Sequence, residues 1–217
     1  GVMLAFLGGT GPEGKGLALR LALAGEAVII GSRSAERAAA TAEELLRLAP
    51  GASIEGAENE AAAKRADVVF LTFPYEGQRP VLEQLRGCLD GKVVVNVIAP
   101  MRFERGRGAS AIEVAAGSAA QEAQEMLPGS LIVAAFQNVS AETLEDPGKM
   151  MEGDVVVCSD HQQGKRLVMD LAAKIPNLRP VDGGGLANAK YVEQITPLLV
   201  NINRIYKIHS GIKIVGI

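Results

Sequence analysis

The sequence predicts an α/β fold: a doubly wound parallel sheet with a small α/β C-terminal domain. Three observations lead there. Short apolar runs of strand length alternate with longer helix-like segments from the first residues onward. The runs are apolar at nearly every position, the pattern of strands covered on both faces. Past residue 145 the alternation loosens, which divides the chain into a first domain of residues 1–145 and a second of residues 146–217. No low-complexity run or long linker separates them, so the two are expected to share an interface.

The elements follow in order. VMLAFLG (2–8) is a buried strand stopped by Gly8-Gly9, and EGKGLALRLALAG (13–25) has helical spacing and a glycine stop. AVIIGS (27–32) is the second strand, SAERAAATAEELLRLA (34–49) a helix with one polar face, and ASIEG (52–56) a weak third strand. AENEAAAKRA (57–66) reads as a short helix and DVVFLTFP (67–74) as a buried strand. YEGQRPVLEQLRGCL (75–89) should be a helix broken or kinked near Pro80, because proline removes a ladder N–H. KVVVNVIAP (92–100) gives a fifth strand, and MRFERGRGAS (101–110), polar and glycine-rich, reads as a loop. SAAQEAQEML (118–127) returns to helix and LIVAAF (131–136) is the sixth strand. In the second domain DVVVCS (154–159) is a strand and DHQQGKRLVMDLAAKI (160–175) a helix with Asp160 as its expected cap. LRPVDGGG (178–185) is a strand ending in a glycine turn, and residues 186–206 form a long apolar helix kinked or interrupted around Pro197.

Composition excludes several classes. With 48% hydrophobic and 22% charged residues the chain belongs among soluble globular proteins. A net charge of -3 argues against a nucleic-acid surface or a polybasic membrane surface. No apolar run approaches the ~20 residues of a spanning helix, and no leader pattern opens the chain, so a cytoplasmic location is expected. Cys88 and Cys158 are too few and too far apart for a disulfide framework or a zinc cluster, and read as free buried thiols. His161 and His209 are the only histidines, a poor supply for metal or imidazole chemistry.

Gly9-Thr10-Gly11-Pro12-Glu13-Gly14 fits G-x-G-x-x-G between a strand and a helix. In that setting the early glycines permit a tight turn and close backbone approach to a pyrophosphate, and Gly14 lets helix and strand pack closely. The helix N-terminus adds free N–H groups and partial positive charge, the Rossmann-type arrangement for a dinucleotide. Gly14-Lys15 also resembles the end of an ATP-binding P-loop, but Gly16 stands where that motif needs a magnesium-binding hydroxyl. The second strand then ends in Ser32-Arg33, with Arg37 about one helical turn on. An NAD site usually carries a carboxylate there; a guanidinium instead binds a 2′-phosphate bidentately and can stack on adenine. NADP is therefore expected over NAD. Ser34 as an ordinary helix cap among surface charges is the plainer reading of the same stretch.

Ligands of open parallel sheets lie beyond the carboxyl ends of the strands. Phe73, Pro74 and Tyr75 could wall the nucleotide with apolar surface, and Pro100 ends its strand where backbone could meet the nicotinamide. Pro74 and Pro100 could equally do no more than stop their strands.

GGTGPEGKGLALRLALAG (8–25), GSRSAERA (31–38), ADVVFLTFPYE (66–76), NVSAE (138–142) and QITPLLVNINRIYKIHSGIKI (194–214) together resemble the NADPH-dependent coenzyme F420 reductases, over nearly the whole chain and in the same order. The resemblance implies homodimers of a Rossmann domain with a small C-terminal domain, passing hydride between NADP and a deazaflavin. It implies that Thr10, Gly11, Pro12 and Glu13 hold the pyrophosphate and Ser32, Arg33 and Arg37 the 2′-phosphate. Tyr75, Ala99 and Ala141 would line the NADP path, and Gln137, Val139 and Ser210 would face the deazaflavin. The chain departs from the family at Gln137, where histidine is common; glutamine keeps a donor and an acceptor but cannot become cationic. Hydride passing between two bound rings asks mainly for alignment, so no catalytic acid–base residue is assigned. A reductase of a flavin or metal chelate and a non-catalytic NADP sensor would use the same first domain, and turnover with each acceptor distinguishes them. The β-hydroxyacid dehydrogenase and imino-acid reductase types share that domain too, but add a large helical C-terminal domain for which residues 146–217 are too short.

Overall fold

The computed structural model describes residues 1–217. Six parallel strands carry the first part: β1 (Met3–Leu7), β2 (Ala27–Ser32), β3 (Ile54–Glu58), β4 (Val68–Leu71), β5 (Val93–Asn96) and, after a hairpin of β6 (Met101–Glu104) and β7 (Gly108–Ala111), β8 (Leu131–Ala134). Their order in the sheet is β3-β2-β1-β4-β5-β8. The connecting helices are α1 (Pro12–Leu23), α2 (Ala35–Leu48), α3 (Asn59–Arg65), α4 (Gln78–Gln84) and α5 (Ala119–Met126), with the short α6 (Ala141–Glu145) leaving β8. The order turns about β1 and β4, whose connections leave in opposite directions and open a crevice at their carboxyl ends.

Burial explains the uniform apolarity of the strands. Leu4, Phe6, Val28, Ile30, Val68 and Phe70 belong to one core layer, while Ala5, Leu7, Ile29, Val69 and Leu71 belong to the other. Successive residues of a strand face opposite ways, so both faces of the sheet are covered and neither tolerates a polar alternation. Phe6 stacks on Phe70 with ring centroids 4.5 Å apart, and Phe136 tilts against Phe70 at 6.1 Å.

The chain continues as β9 (Gly153–Val157), α7 (Gln162–Ala173) and β10 (Leu178–Asp182), a parallel pair with its crossover helix, then α8 (Ala189–Tyr206). Asp154 and Arg179 are register partners on β9 and β10 and form a two-pronged pair of 2.7–2.8 Å. That hydrogen-bonded guanidinium holds the buried Asp154 carboxyl below its usual range. Ala134 and Cys158 exchange backbone hydrogen bonds of 2.9 and 3.0 Å, which joins β8 to the end of β9. No helix is long and apolar enough to cross a membrane.

α8 docks on α5 through Glu193. Its carboxylate accepts from Ala119 N (2.8 Å) and Ala120 N (3.1 Å) while Ser118 accepts from Gln121 N, so the exposed donors of the α5 N-terminus are met from two sides. Burial outweighs those two bonds and pushes the Glu193 carboxyl up to about 7 from its ordinary 4.5, with Glu122 adding repulsion. A carboxyl whose folded value is raised stabilises the fold fully below the unfolded value and loses that contribution as pH rises through the folded one. Stability should therefore fall by about 3 kcal/mol between pH 4.5 and 7 from this group. Urea unfolding across that window should show a flatter profile for Glu193→Gln; an identical slope would mean Glu193 does not titrate with folding.

Four expectations need correction. Residues 101–110 are largely a hairpin rather than a loop: β6 and β7 pair antiparallel, and the Asn201 side chain on α8 both donates to and accepts from the Ala109 backbone (2.9 and 2.8 Å). Asp160 does not cap α7, whose N-cap is His161 with no side-chain bond; the Asp160 carboxylate instead accepts from Leu186 N at 3.0 Å. Pro197 does not interrupt its helix, since α8 runs through it as one element. The 75–89 segment does divide near Pro80, into a 3-10 turn (Tyr75–Gly77) and α4, with Pro80 in the first turn of α4, where no N–H is needed. Cys88 is half-buried in the turn after α4, and only Cys158 is enclosed, where burial pushes its thiol up to about 11.

Candidate functional site

A cavity of about 1210 Å³ opens at the carboxyl ends of the strands. That exceeds the ~300–1,000 Å³ of an ordinary small-molecule site. Its lining starts at the turn after β1. Pro12 is the first residue of α1, no side chain caps the helix, and the first ladder bond runs from Lys15 N to the Gly11 carbonyl at 2.9 Å. The N–H groups of Glu13 and Gly14 are thus left for a ligand, while Gly11 N bonds the Gly8 carbonyl at 3.2 Å.

Two glycines hold this turn from behind. A Cβ on Gly9 would lie 2.6 Å from the Phe6 carbonyl, and one on Gly14 would lie 2.5 Å from Thr72 Oγ1 and 2.7 Å from the Gly9 Cα. Thr72 is fixed in turn by its 2.7 Å bond to the Leu7 carbonyl. In Gly14→Ala the propensity gain of about 1 kcal/mol is outweighed by overpacking of about 1–3 kcal/mol against backbone that cannot retreat. Calorimetry should show NADPH affinity falling with stability in this variant; unchanged affinity would mean the turn does not hold the nucleotide.

Gly8, Thr10, Gly11, Pro12 and Glu13 line the cavity, followed by Ser32, Arg33 and Arg37 at the tip of β2. Ser34 does cap α2, accepting from Arg37 N at 3.3 Å, and its own N–H bonds Ser32 Oγ at 3.2 Å. Ser32 keeps its hydroxyl proton to donate, and Arg33 and Arg37 are exposed and form no ion pair within the chain. Glu13 behaves differently from the glycine turn around it. Burial, then the neighbouring Glu145, pushes its carboxyl well above the ordinary value, and its Oε1 has no partner. Burial thus opposes negative charge on this side chain beside the phosphates, while its backbone N–H stays free.

The other tips complete the wall. Phe73, Pro74 and Tyr75 follow β4, Ala99 follows β5, and Gln137, Val139 and Ala141 follow β8. Phe136 takes a left-handed backbone (φ 71°), an uncommon conformation for an aromatic residue, which turns the chain sharply after β8 and presents Gln137 to the cavity. Asn138 anchors this loop to α8, donating to the Val192 carbonyl (3.0 Å) and Thr196 Oγ1 (3.1 Å). Lys207, also left-handed, ends α8 and returns the tail so that His209 and Ser210 reach the cavity. Asn203 Oδ1 fixes Ser210 by accepting from its N–H (2.7 Å) and hydroxyl (2.5 Å).

Fifteen of the residues singled out in the sequence therefore share one cavity wall, while Gly9, Gly14 and Pro100 do not line it. Pro100 is buried behind the wall, its carbonyl accepting from Ile112 N. Several lining residues escaped the sequence reading. Asn59 begins α3, and its Oδ1 accepts from Gly8 N at 3.3 Å, tying the third strand tip to the glycine turn. Met101 and Phe103 come from the hairpin, and His209 pairs with Glu142 at 2.8 Å across the cavity mouth. Asn59 alone carried a signal, as the residue after the third strand.

Residues 3–100 match the family described as NADP oxidoreductase, coenzyme F420-dependent. The F420-dependent NADP reductase of Methanothermobacter marburgensis is 42% identical, covering 99% of this chain and 98% of its own. The enzyme of that description from Methanocaldococcus jannaschii is 41% identical over the same shares. A crystal structure from Arthrobacter sp. FB24 superimposes with a TM-score of 0.85 over the whole of both chains at 22% identity, a likeness of fold.

Proposed function

The chain belongs to the coenzyme F420-dependent NADP oxidoreductases, and we propose that it passes hydride reversibly between NADP(H) and the deazaflavin coenzyme F420 in this one cavity. The observation that carries the reading is the cavity's span. It runs without interruption from an unpaired arginine pair at the β2 tip, past an uncapped helix N-terminus, to Gln137, Val139 and Ser210 on the far wall. The residues present fit a dinucleotide phosphate. Gly9 and Gly14 let the turn close against Phe6 and Thr72, the backbone of Thr10, Gly11 and Glu13 cradles the pyrophosphate with Pro12 starting the helix, and Ser32, Arg33 and Arg37 hold the 2′-phosphate.

Tyr75, Ala99 and Ala141 guide the nucleotide toward the far wall, and Phe73 and Pro74 exclude water from its apolar side. Gln137, Val139 and Ser210 receive the deazaflavin. When bound, NADPH supplies the hydride and F420 accepts it. The protein's part is alignment of the two rings, worth several powers of ten in rate without a catalytic acid or base.

Residues 1–145 form the NADP domain in this reading and residues 146–217 the acceptor-side and dimerisation domain. Tyr191, Leu198 and Ile205 stand exposed seven residues apart on α8, a spacing that puts them along one stripe. This stripe supports a homodimer, and Leu198→Glu should yield monomers in light scattering. Unpaired Cys88 and Cys158 suit a reducing cytoplasm.

The test is a mixture of protein, NADPH and F420 in which deazaflavin absorbance is followed. It should bleach with NADPH, far more slowly with NADH, and a free flavin should not substitute. Turnover of the flavin with none of F420 would reassign the acceptor.

A further inference from the structure

Beneath the cavity wall, three of the strand tips are joined by a line of buried hydrogen bonds. Glu122 on α5 is 8% exposed, and its carboxylate accepts from Tyr75 Oη (2.9 Å), Gln78 Nε2 (2.8 Å) and, more loosely, Arg79 Nη2 (3.3 Å). Gln78 is wholly buried; its Nε2 also donates to the Ala119 carbonyl, and its Oε1 accepts from Asn96 Nδ2 at 2.8 Å. Asn96, likewise buried at the end of β5, folds its Oδ1 onto Ile98 N at 3.0 Å. Its backbone carbonyl accepts from Gln137 Nε2 at 3.1 Å.

The direction of every bond is set by chemistry. A carboxylate can only accept, so Gln78 must turn its NH2 toward Glu122 and its oxygen toward Asn96. Asn96 must then offer its NH2 to Gln78, leaving its oxygen for Ile98 N. At the far end the Asn96 carbonyl can only accept, so Gln137 faces it with Nε2 and its Oε1 is left over. That oxygen is buried, has no partner in the chain, and belongs to a residue that lines the cavity and is 6% exposed. Buried acceptors are nearly always met by a donor. The oxygen is enclosed by protein, so the side chain is oriented by its Nε2 bond to the Asn96 carbonyl.

We propose that Glu122 is a positioning residue for the transfer: through Gln78 and Asn96 it fixes the β4 and β5 tips against each other and holds the carbonyl that orients the Gln137 side chain in the cavity wall. The proposal rests on the hydride-transfer reading above. The two rings to be aligned are the nicotinamide and the deazaflavin. Tyr75 faces the first ring in this reading and Gln137 the second, so Glu122 acts on both without touching either.

Glu122→Gln keeps the shape but introduces an NH2 that must oppose Gln78 Nε2, Tyr75 Oη or Arg79. In the ligand-free protein, hydrogen–deuterium exchange of residues 96–99 should quicken about tenfold, because the Asn96–Ile98 turn loses its anchor while the sheet does not. With both substrates saturating, kcat should fall about tenfold while the NADPH dissociation constant stays within about threefold, since the phosphate anchors are remote from Glu122. Tyr75→Phe should give part of the kcat loss, and the double variant should lose less than the product of the two.

Unchanged exchange at residues 96–99, or kcat within twofold of wild type, overturns the proposal. If Glu122→Gln does not fold, Tyr75→Phe decides alone: an undiminished kcat overturns it. Failure of the wild type to use F420 would strike the functional reading instead, and the exchange measurement on ligand-free protein would still judge the role of Glu122.

Discussion

Arg33→Ala raises the NADPH dissociation constant about 30- to 100-fold and leaves that for NADH within about twofold, because charge-assisted bonds contribute about 1.5–3 kcal/mol each and 1.4 kcal/mol is a factor of ten. Arg33 lines the cavity at the β2 tip, is exposed and has no carboxylate partner to release. A guanidinium in that state loses little when it turns to a phosphate, so nearly all of its interaction appears as preference for the 2′-phosphate. Arg37 sits in the first turn of α2, on the same wall, and Arg37→Ala should lose about a third as much free energy, which corresponds to about fourfold. Added salt should weaken NADPH binding in the wild type and weaken it less in the Arg33 variant, which keeps Arg37. Fluorescence titration of both nucleotides reads all of these. Equal affinity of the wild-type protein for NADPH and NADH would remove the 2′-phosphate assignment.

Arg20→Ala lowers folding stability by about 4 kcal/mol, the summed order of two or three lost bonds from a buried cation and the carbonyls left behind. Arg20 lies on α1, 9% exposed, and donates to the Leu144 carbonyl (2.9 Å) through Nε. Its Nη2 approaches the carbonyls of Thr143 (2.6 Å), Asp146 (2.5 Å) and Lys149 (2.9 Å). Those are carbonyls of the short helix α6 and the turn after it, two of which also accept backbone N–H groups, and a single fork gathers them and fastens them to the helix behind the phosphate turn. Gly16 permits the contact, since a Cβ there would lie 2.5 Å from the Leu144 Cβ. Because Ser140, Ala141 and Glu142 line the cavity, NADPH affinity should fall along with stability. Arg20→Lys keeps the charge but not the fork and should recover less than half of the loss in urea unfolding. Stability within 1 kcal/mol of wild type in Arg20→Ala, a small fraction of the expected change, would show that α6 holds itself in place.

The main sheet was legible because its strands are buried on both faces: a run such as Val68–Leu71 has no polar residue to blur it. The hairpin at 101–111 was not. Its strands are four residues each, mostly exposed, interrupted by glycine and arginine, and secured by a distant residue, Asn201. The Asp160 cap failed for a similar reason, since a carboxylate that suits a helix start was recruited by Leu186 N from another element. At the site, Ser32, Arg33 and the glycine turn were readable because backbone geometry ties them to a strand end. Phe103, His209 and the Glu122 line were not readable. Their places depend on how the hairpin, the tail and α5 come together, which no local pattern encodes. Gln137 lies between these cases: its strand tip could be named, but its free oxygen appears only once Asn96 is seen to hold its nitrogen.

The most direct measurement of the central claim follows the hydrogen itself. NADPH carrying deuterium at the transferring position is mixed with enzyme and F420, and the reduced deazaflavin is examined by mass spectrometry. Two rings aligned in one cavity pass the label directly, so the reduced coenzyme should carry one deuterium with none lost to water. Reduced coenzyme without label would contradict the account, because the hydrogen would then have travelled through a protein group or solvent rather than across the cavity.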